Sequence, residues 1–595
     1  MSARGRVFGH GVVARGEAKG ARRWRPTVIG TSVCIVAAAI LVPAQSAGAG
    51  SGYLKPNQLC NKLGVRLQAS AGAQMFCFGP QSGGSTAQSR TNTTGTTALR
   101  APSFGRNVNA ANLSEDVSPS GVRAYGQSET SIAASGSYVV EAWNDATAFF
   151  TSPCDPSGKG SATGFGFSND GGATFRDLGG LPNRNCKSDP AAISGDPSVE
   201  AYTVAGTTYF YIASIFIPLN HPQNDLSVTS CTVVGSGTSA TLNCGDPTVA
   251  AISSDCVTLP FGSFCSFLDK EYLTIDPARH RLYMSYTEFG VSSFVASNGT
   301  VELAVCDLAT PAAPACSNGS AGSKHPPYFV VSPAGQCEQE GAYPAVDPAN
   351  GDVYVAWEYN WATNIFGSPP GAPVDCRTRA TANLLARVPF TCLTLPASSC
   401  GVSNRGIVKV TSMDAAFVPG YNRFPASDFP RIAVSDSSGT VSIVWNDATR
   451  DPLGDIYLQS FNLGSVTRVQ AAPVTLNNDT SGIALHFMPA LRNTGINGLL
   501  NVSWYDRRSA PNSARTDVFA ALNVDPRLSG TARSNVRVTD VSSDWNTVSS
   551  DIVPNFGDYT DNYTALTSTG ATLHVAWSDG RLVVPQPFSS HVTLK

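Results

Sequence analysis

One short apolar strand recurs seven times along the chain, and this repeat constrains the fold more than any other feature. Each copy follows a shorter apolar strand and a turn, so that one unit amounts to about two hairpins. The copies end in an aromatic or small residue, at Trp143, Ser214, Tyr286, Trp357, Trp445, Trp504 and Trp577, with spacings between 59 and 88 residues.

Repeats of this kind predict a β-propeller, in which four-stranded blades pack around a central axis and leave few exposed edges. Residues 104–595 divide into seven units of about 70 residues, so we predict an all-β propeller of seven blades. A six-bladed ring is the alternative, with a blade missing around residues 197–260. The last repeat is short of one strand, and we predict that residues 104–113 supply it and close the ring.

The first 103 residues differ from the repeats in composition. Residues 1–49 combine an Arg-rich start, an apolar run and small residues up to Ala49, which predicts a cleaved export signal, with a retained signal anchor as the alternative. Residues 50–80 are predicted to form a short disulfide-containing module, and residues 81–103 a Ser-, Thr- and Gly-rich linker. The protein is therefore expected to be secreted.

The charge balance excludes two classes of partner. The chain has 40 basic and 43 acidic residues, and seven of the basic but only one of the acidic residues precede residue 50. The exported part would carry a net charge near −9. Nucleic acids and anionic membrane surfaces require a basic footprint, so neither is an expected partner.

Fourteen cysteines remain after the signal, which fits disulfide formation in an oxidising compartment. Consecutive pairing predicts local staples at 60–77, 231–244, 256–265, 306–316 and 392–400, although spacing alone does not determine connectivity. No CxxC pair and no Cys/His cluster at metal-ligand spacing occurs, so zinc and thiol redox chemistry are not expected.

Residues 168–175, read as SNDGGATF, fit the pattern S-x-D-x-G-x-T-[FW]. This resembles the Asp-box of the sialidase-like (BNR-repeat) propellers, in which the motif forms a turn between the outer two strands of a blade. A degraded copy begins at Ser412. The resemblance implies a secreted, exo-acting glycoside hydrolase with three substrate-binding arginines, a Tyr/Glu nucleophile and an Asp acid/base. The family's Arg-Ile/Leu-Pro motif is absent, and Arg431 in Phe-Pro-Arg-Ile is the nearest match.

Residues just ahead of the inner strands of a propeller line its central cavity. Here these positions are unusually acidic, and we predict Glu129, Asp196, Glu271 and Glu340 as catalytic carboxylates, with Tyr343, Arg431 and Tyr559 binding substrate. Two alternatives stay open: the acids hold blades together through backbone N–H groups, or they bind Ca²⁺. Asp269, Glu338, Asp428 and Asp558 belong to the same set, to which one blade contributes His486 instead.

The sequence thus supports two main functional hypotheses, with a polysaccharide lyase as a third, because a Tyr/His pair beside acids could abstract a proton, although the sequence shows no positioned pair. The first is a monomeric, sialidase-like glycoside hydrolase that acts on a glycan or glycoconjugate without a cofactor, Ca²⁺ excepted. The second is a propeller that binds a carbohydrate or protein without catalysis, which the missing arginine motif favours. Four Trp-x-Asp elements, at Trp143, Trp445, Trp504 and Trp577, are interpreted as structural: Trp packs between blades while Asp caps the next turn and pairs with Arg.

Overall fold

A computed structural model describes the repeat region of the protein. The described residues are 104–253, 256–259, 262–289, 299–316, 329–332, 339–359, 381–394, 402–408, 429–479, 482–529, 534–548, 560–568 and 570–594. The predicted signal, N-terminal module and linker (1–49, 50–80 and 81–103) lie outside them. Within the described residues, no helix has the length and apolar character needed to span a bilayer.

The chain forms seven antiparallel blades, as the repeat predicts. Strand β1, Val108–Asn109, belongs to the last blade. Blade 1 comprises β2 Gln127–Ser135, β3 Tyr138–Asp145, β4 Thr163–Ser168 and β5 Arg176–Gly180; blade 2 comprises β6 Ala191–Ile193, β7 Ser198–Val204, β8 Thr207–Pro218, β9 Asp225–Val234, β10 Thr241–Cys244 and β11 Thr248–Ile252; the hairpin β12 Cys256–Leu259 and β13 Gly262–Cys265 follows; and blade 3 comprises β14 Phe267–Asp276, β15 Arg281–Phe289, β16 Gly299–Asp307, β17 Ala315–Cys316 and β18 Phe329–Val330.

The remaining four blades repeat the plan, and short 3-10 turns at Leu113–Glu115, Ala146–Phe150, Gly237–Ser239 and Phe390–Thr394 connect some of the strands. Blade 4 comprises β19 Gln339–Val346, β20 Val353–Tyr359, β21 Ala382–Val388 and β22 Ser403–Val408; blade 5 comprises β23 Arg431–Ser435, β24 Thr440–Asp447, β25 Asp455–Asn462 and β26 Val474–Thr475; blade 6 comprises β27 His486–Asn493, β28 Leu500–Asp506, β29 Arg515–Val524, β30 Asn535–Arg537 and β31 Ser543–Asp544; and blade 7 comprises β32 Asp561–Thr567, β33 Gly570–Asp579 and β34 Gln586–Leu594 with β1.

The recurring strand of the sequence is the second strand of each blade counted from the axis; in blade 2 it is β8, which pairs with β6 and β7 along one edge and with β9 along the other. The recurring strand is buried on both faces because neighbouring blades cover it, and every residue of β20 and β28 is buried. This explains why these strands lack a polar alternation. The predicted gap at residues 197–260 is occupied by blade 2, so the six-bladed alternative is wrong.

Tryptophans fill the spaces between blades, as the Trp-x-Asp interpretation predicts. Trp445, Trp504 and Trp577 are at most 1% exposed, and each indole Nε1 donates to the carboxylate two residues later. The same carboxylates accept the backbone N–H of the following turn, and in two blades they pair with arginine, Arg508 with Asp506 and Arg581 with Asp579. The structural interpretation of these elements is confirmed.

The N-terminal strand β1 closes the ring. Val108 and Asn109 pair with Ser589 and Phe588 of β34, which makes β1 the outermost strand of blade 7. Backbone bonds from Gly105 N to His591 O (2.7 Å) and from Ala110 N to Pro587 O (2.9 Å) extend the contact. The predicted closing role of residues 104–113 is therefore confirmed.

Local disulfides staple the outer parts of the blades. Cys231–Cys244, Cys256–Cys265 and Cys306–Cys316 form as predicted, each between directly paired residues of adjacent strands, and Cys154–Cys186 also forms. The predicted pairs 60–77 and 392–400 lie wholly or partly outside the described residues.

We predict that Asn107→Ala weakens the ring closure. The buried Asn107 amide donates to Val538 O (3.0 Å) and accepts from Asp540 N (2.7 Å) and Arg581 Nη2 (2.9 Å). Leaving these groups without a partner should lower the free energy of unfolding by ~1–3 kcal/mol. Denaturant titration measures it, with the exposed Asn185→Ala as control; equal stability of both variants would contradict the prediction.

The joint between blades 1 and 7 also contains a buried acid, Glu141 of β3, which is 0% exposed. Burial, with a smaller contribution from Asp561, raises the pKa of this carboxyl from 4.5 to about 8. The group is thus protonated in the folded protein at neutral pH, whereas it is ionised in the unfolded chain.

We therefore expect Glu141 to cost stability as the pH rises. Between pH 4.5 and about 8 the unfolded chain releases the proton that the folded protein keeps, so the free energy of unfolding falls across this window. The free energy of unfolding of Glu141→Gln, measured relative to that of the wild type, should therefore increase by roughly 3–5 kcal/mol from pH 4.5 to about pH 8. Denaturant unfolding at pH 5 and pH 8 tests this, with the exposed Glu115→Gln as control; a difference independent of pH would argue against it.

Candidate functional site

A β-bulge at the start of the inner strand recurs in four blades. The pairing between the first and second strands shifts between Ser128 and Ser131, Asp269 and Tyr272, Glu340 and Tyr343, and Phe487 and Ala490. The first extra residue has a positive φ in each case, namely Glu129 (55°), Lys270 (58°), Gly341 (67°) and Met488 (51°). Such bulges redirect a side chain, and non-glycine residues occupy this region only where the surroundings hold them there.

Asp196 occupies the matching place in blade 2, two residues before Ser198, with φ 56°. Three consecutive blades therefore present a charged side chain from the same strained position: Glu129, Asp196 and Lys270. Blades 4 and 6 present Gly341 and Met488 at this position instead.

Two residues farther along each inner strand lies a second layer, which we call the axial ring. Each member pairs with the equivalent residue of its own blade, namely the residue directly before the end of the recurring second strand. They are Ser131, Ser198, Tyr272, Tyr343, Arg431, Ala490 and Asp561.

A cavity opens between these two layers. It is lined by Glu129, Thr130, Ser131, Asp196, Pro197, Lys270, Tyr272, Tyr343, Arg431 and Asp561. Four of the predicted site residues thus meet in one place: Glu129, Asp196, Tyr343 and Arg431. Tyr559 lies outside the described residues, and its role stays a prediction.

The charged side of the cavity is a compact cluster. Lys270 Nζ lies 3.1 Å from Asp196 Oδ2 and 3.6 Å from Glu129 Oε2, and all three side chains are at most 5% exposed. Asn144 Nδ2 donates to Glu129 Oε2 (2.7 Å) and to Asp196 Oδ1 (3.0 Å), while Asn144 Oδ1 accepts from Asp196 N. One amide therefore fixes the two carboxylates side by side.

The Asn144 amide needs a close approach of the backbone at Gly195. A Cβ at Gly195 would lie 2.4 Å from Asn144 Oδ1, and the residue has φ +89°. Only glycine fits both conditions. The sequence before Asp196 is thus adapted to let Asn144 reach the carboxylates.

The opposite side of the cavity is an aromatic and cationic wall. The rings of Tyr272 and Tyr343 lie 4.7 Å apart, and the Arg431 guanidinium stands 4.4 Å and 4.5 Å from their centroids. Burial raises the pKa of both phenols. Both are therefore neutral, so each hydroxyl keeps a proton that it can donate, while the Tyr272 hydroxyl accepts from Arg431.

Asp561 acts mainly in holding blades together. Its Oδ2 accepts from Ser131 Oγ and from Ile132 N, both at 2.9 Å, which joins blade 7 to blade 1. Ser131 Oγ in turn accepts from Val199 N, and Ser198 Oγ from Leu273 N, each at 3.0 Å. Asp561, Ser131 and Ser198 thus bind backbone N–H groups of the next blade, although none of them is among the predicted acids.

The floor of the axis is a charged cluster one layer deeper. Arg492 of blade 6 forms a bidentate pair with Glu200 of blade 2, at 2.8 Å and 3.0 Å, and Tyr563 of blade 7 donates to Glu200 Oε2 at 3.0 Å. The Arg492 guanidinium also lies 4.2 Å from the Tyr563 ring centroid. These contacts cross the axis and join blades that are not neighbours.

Two predicted catalytic acids do not line the cavity. Glu271 and Glu340 are 1% and 5% exposed but are absent from the lining. Burial and the neighbouring Asp196 raise the pKa of Glu271 well above its usual range. The bulge is the reason: it gives the axial position to Lys270 rather than Glu271, and to Gly341 rather than Glu340. His486 likewise faces Asp479, 3.0 Å away, and Gly454 O, 2.9 Å away.

Several site residues were missed at the level of sequence: Lys270, Asn144 and the floor cluster. The pairing of the first and second strands places Lys270 level with Glu129 and Asp196. In the sequence the three residues lie 16, 14 and 18 positions before the ends of their second strands, so an alignment of the repeats on those ends does not reveal the match. Among the described residues, no group of three or more His, Cys, Asp or Glu side chains is arranged to hold a metal ion. The Lys270 ammonium occupies the position between the two carboxylates that a cation would take.

The turn at residues 168–175 lies between β4 and β5, the outer strands of blade 1. Asp170 accepts from Ser168 Oγ (2.7 Å), Thr174 N (2.9 Å) and Thr174 Oγ1 (2.6 Å). These bonds lower the pKa of Asp170. The motif therefore stabilises a turn on the outer part of the blade and contributes nothing to the cavity lining.

We predict that Gly341→Ala disrupts the cavity wall. A Cβ at Gly341 would lie 2.1 Å from the Phe429 ring, and the residue has φ +67°, so the substitution combines a clash with backbone strain. Gly121→Ala is a matched control, because Gly121 has φ +82° with no atom within 4 Å of the added Cβ. Thermal unfolding should show a larger loss for Gly341→Ala; equal losses would refute the steric part of the argument.

No family model matches the chain, and no curated protein matches it. Solved structures similar to it include a sialidase of Trypanosoma rangeli in complex with the inhibitor DANA, at 12% identity and a TM-score of 0.29, over 82% of this chain and 58% of that chain. An alpha-L-arabinofuranosidase from Lactobacillus brevis aligns at 10% identity and a TM-score of 0.27, over 55% of this chain and 90% of that one.

An N-acetylgalactosamine deacetylase from F. plautii, in complex with blood group B trisaccharide, aligns at 10% identity and a TM-score of 0.29, over 53% of this chain and 85% of that one. Sialidases are thus among the solved structures to which the chain is similar. At these identities and TM-scores the likeness assigns no activity to the chain, and the propeller fold rests on the sheets described above.

Proposed function

We propose that the axial cavity binds the terminal sugar of a glycan and that Glu129 and Asp196 hydrolyse its glycosidic bond. The observation that carries this proposal is the pair of carboxylates, which come from adjacent blades and contact the same Asn144 amide nitrogen. Two neighbouring carboxyl groups beside a cavity are the machinery that glycoside hydrolysis requires.

The close spacing of the pair favours the retaining mode over the inverting one. Inverting enzymes separate their carboxyl groups by about 6.5–9.5 Å to admit a water, whereas retaining enzymes hold them about 5–5.5 Å apart. Because the Glu129 and Asp196 oxygens both accept from one amide nitrogen, at 2.7 Å and 3.0 Å, they lie less than about 6 Å apart, which is below the inverting range.

In this mode an ionised carboxylate attacks the anomeric carbon while the other carboxyl protonates the departing glycosidic oxygen. The C–O bond to the leaving group breaks and a glycosyl ester forms on the enzyme. A water then gives its proton to the second carboxylate and attacks the same carbon, which releases the sugar and restores the first carboxylate.

The rest of the cavity supports recognition of a chain end. Tyr272 and Tyr343 supply aromatic surface and hydroxyls beside Arg431, as sugar binding demands. The Glu200–Arg492–Tyr563 cluster crosses the axis below them, which supports a cavity with a floor rather than a tunnel for a continuous polymer.

A propeller that binds a glycan without catalysis is the second candidate. The observation that favours it is the Lys270 ammonium, which compensates the charge of both carboxylates as in a structural ion pair. In either case we propose a secreted protein, because disulfides such as Cys154–Cys186 and Cys231–Cys244 form in oxidising compartments.

We predict that Glu129→Gln and Asp196→Asn each abolish turnover, by about 10³-fold or more, on whichever member of a fluorogenic glycoside panel the wild type hydrolyses. Binding of that glycoside should survive, because the amides retain the shape and hydrogen-bonding capacity of the acids.

Calorimetry measures the binding, and the exposed Glu115→Gln serves as the control for loss of a carboxylate. Turnover that persists in both axial variants would disprove the carboxylate mechanism. Glycan binding by a wild type that hydrolyses no member of the panel would favour the second candidate.

A further inference from the structure

The most unusual group of the cavity is the Lys270 ammonium, because neither stacking on a sugar nor the proposed proton transfers require it. Lys270 is 5% exposed and sits in a left-handed backbone conformation, φ 58°, at the mouth of the cavity. Burying a lysine costs several kcal/mol unless nearby charges compensate it. Here Asp196 and Glu129 do so, and their charges raise the pKa of Lys270 well above its usual range despite its burial.

We infer that Lys270 is a positioning residue that keeps Asp196 ionised as the nucleophile and leaves the proton donor's role to Glu129. This inference rests on the proposed hydrolase function and deepens it, because it assigns a separate role to each carboxyl group. A group held ionised attacks, whereas its partner protonates the departing oxygen.

The geometry of the ammonium is asymmetric. Lys270 Nζ donates a hydrogen bond to Asp196 Oδ2 at 3.1 Å, whereas its distance to Glu129 Oε2, 3.6 Å, exceeds that of a hydrogen bond. Asp196 Oδ1 accepts the Asn144 amide at 3.0 Å, so both oxygens of Asp196 accept donors. A carboxylate that accepts at both oxygens is favoured in its charged form.

The other cation of the cavity lining, Arg431, stands against Tyr272 and Tyr343, whereas the acidic groups around Asp196 act against its ionisation. Glu129 lies across the Asn144 amide, and Asp269 and Glu271 flank Lys270 in the same strand, with Tyr272 beyond them. Lys270 Nζ contacts Asp196 Oδ2 directly, at 3.1 Å. Without it, like charges and burial would both favour the protonated form of Asp196.

The sign of the pH effect follows. A nucleophile must be ionised, so activity falls as the pH drops through the pKa of Asp196. Removing the ammonium raises that pKa, and the acid limb of the pH–rate profile moves to higher pH. A brace that only holds blades 2 and 3 together would lower stability without moving this limb.

The test compares Lys270→Met with Lys270→Arg, using the exposed Lys187→Met as the matched control. We expect Lys270→Met to lose about 10²-fold or more in kcat at pH 6, to recover part of it at higher pH and to show a smaller change in KM. Lys270→Arg keeps the charge and should retain the position of the acid limb. An unshifted acid limb in a folded Lys270→Met variant would overturn the inference.

A second measurement separates this inference from the proposed function. Carbon-13 NMR of labelled aspartate, assigned with Asp196→Asn, follows the titration of Asp196 whether or not the protein turns over a glycoside. We expect the midpoint of the Asp196 titration to rise in Lys270→Met and to stay unchanged in Lys270→Arg. If Lys270→Met does not fold, the wild type provides the test: an Asp196 midpoint near 6 or higher would refute the role of Lys270. Absence of turnover with a shifted midpoint would reject hydrolysis and leave the charge control of Lys270 intact.

Discussion

The structure depends on the closure of a ring whose blades are each stabilised by two neighbours. Blades 1 and 7 acquire their second neighbour when β1 pairs with β34 and when Asp561 binds Ser131 and Ile132 at the axis. The cavity takes its lining from both sides of this joint, since Glu129 and Ser131 belong to blade 1 and Asp561 to blade 7. Closure is therefore a condition for the site as well as for the fold.

The bulge at the start of the inner strands turns a repetitive architecture into an asymmetric site. The same left-handed backbone position presents an acid in blades 1 and 2, a lysine in blade 3, a glycine in blade 4 and a methionine in blade 6. Because the backbone is shared, the identity of one residue per blade decides the chemistry at the axis. The axial ring below is also asymmetric. Its serines join blades 1 to 3, whereas Tyr272, Tyr343 and Arg431 of blades 3 to 5 form the wall of the cavity.

The fold was predictable from the sequence because its signals are local or repeated. The recurring second strand indicated seven blades, and the short last repeat indicated a strand from residues 104–113. The site was predictable only in part. Glu129, Asp196, Tyr343 and Arg431 meet in one cavity as expected. Glu271 does not line the cavity, because the extra residue of the bulge moves its side chain to another face of the strand. Lys270 was missed because a lysine is expected at the surface until its two partners, from other blades, are known.

The closing strand also bears on how the chain acquires its fold. Contacts such as the bond from Ser590 Oγ to Gly105 O join residues 485 positions apart, so they form only after almost the whole propeller has been synthesised. The edge of blade 7 and the face of blade 1 stay uncovered until then, and pairings of such long range form slowly. A chain of this design reaches its native state after translation rather than during it, and depends in that interval on protection of its exposed strand edges from other chains.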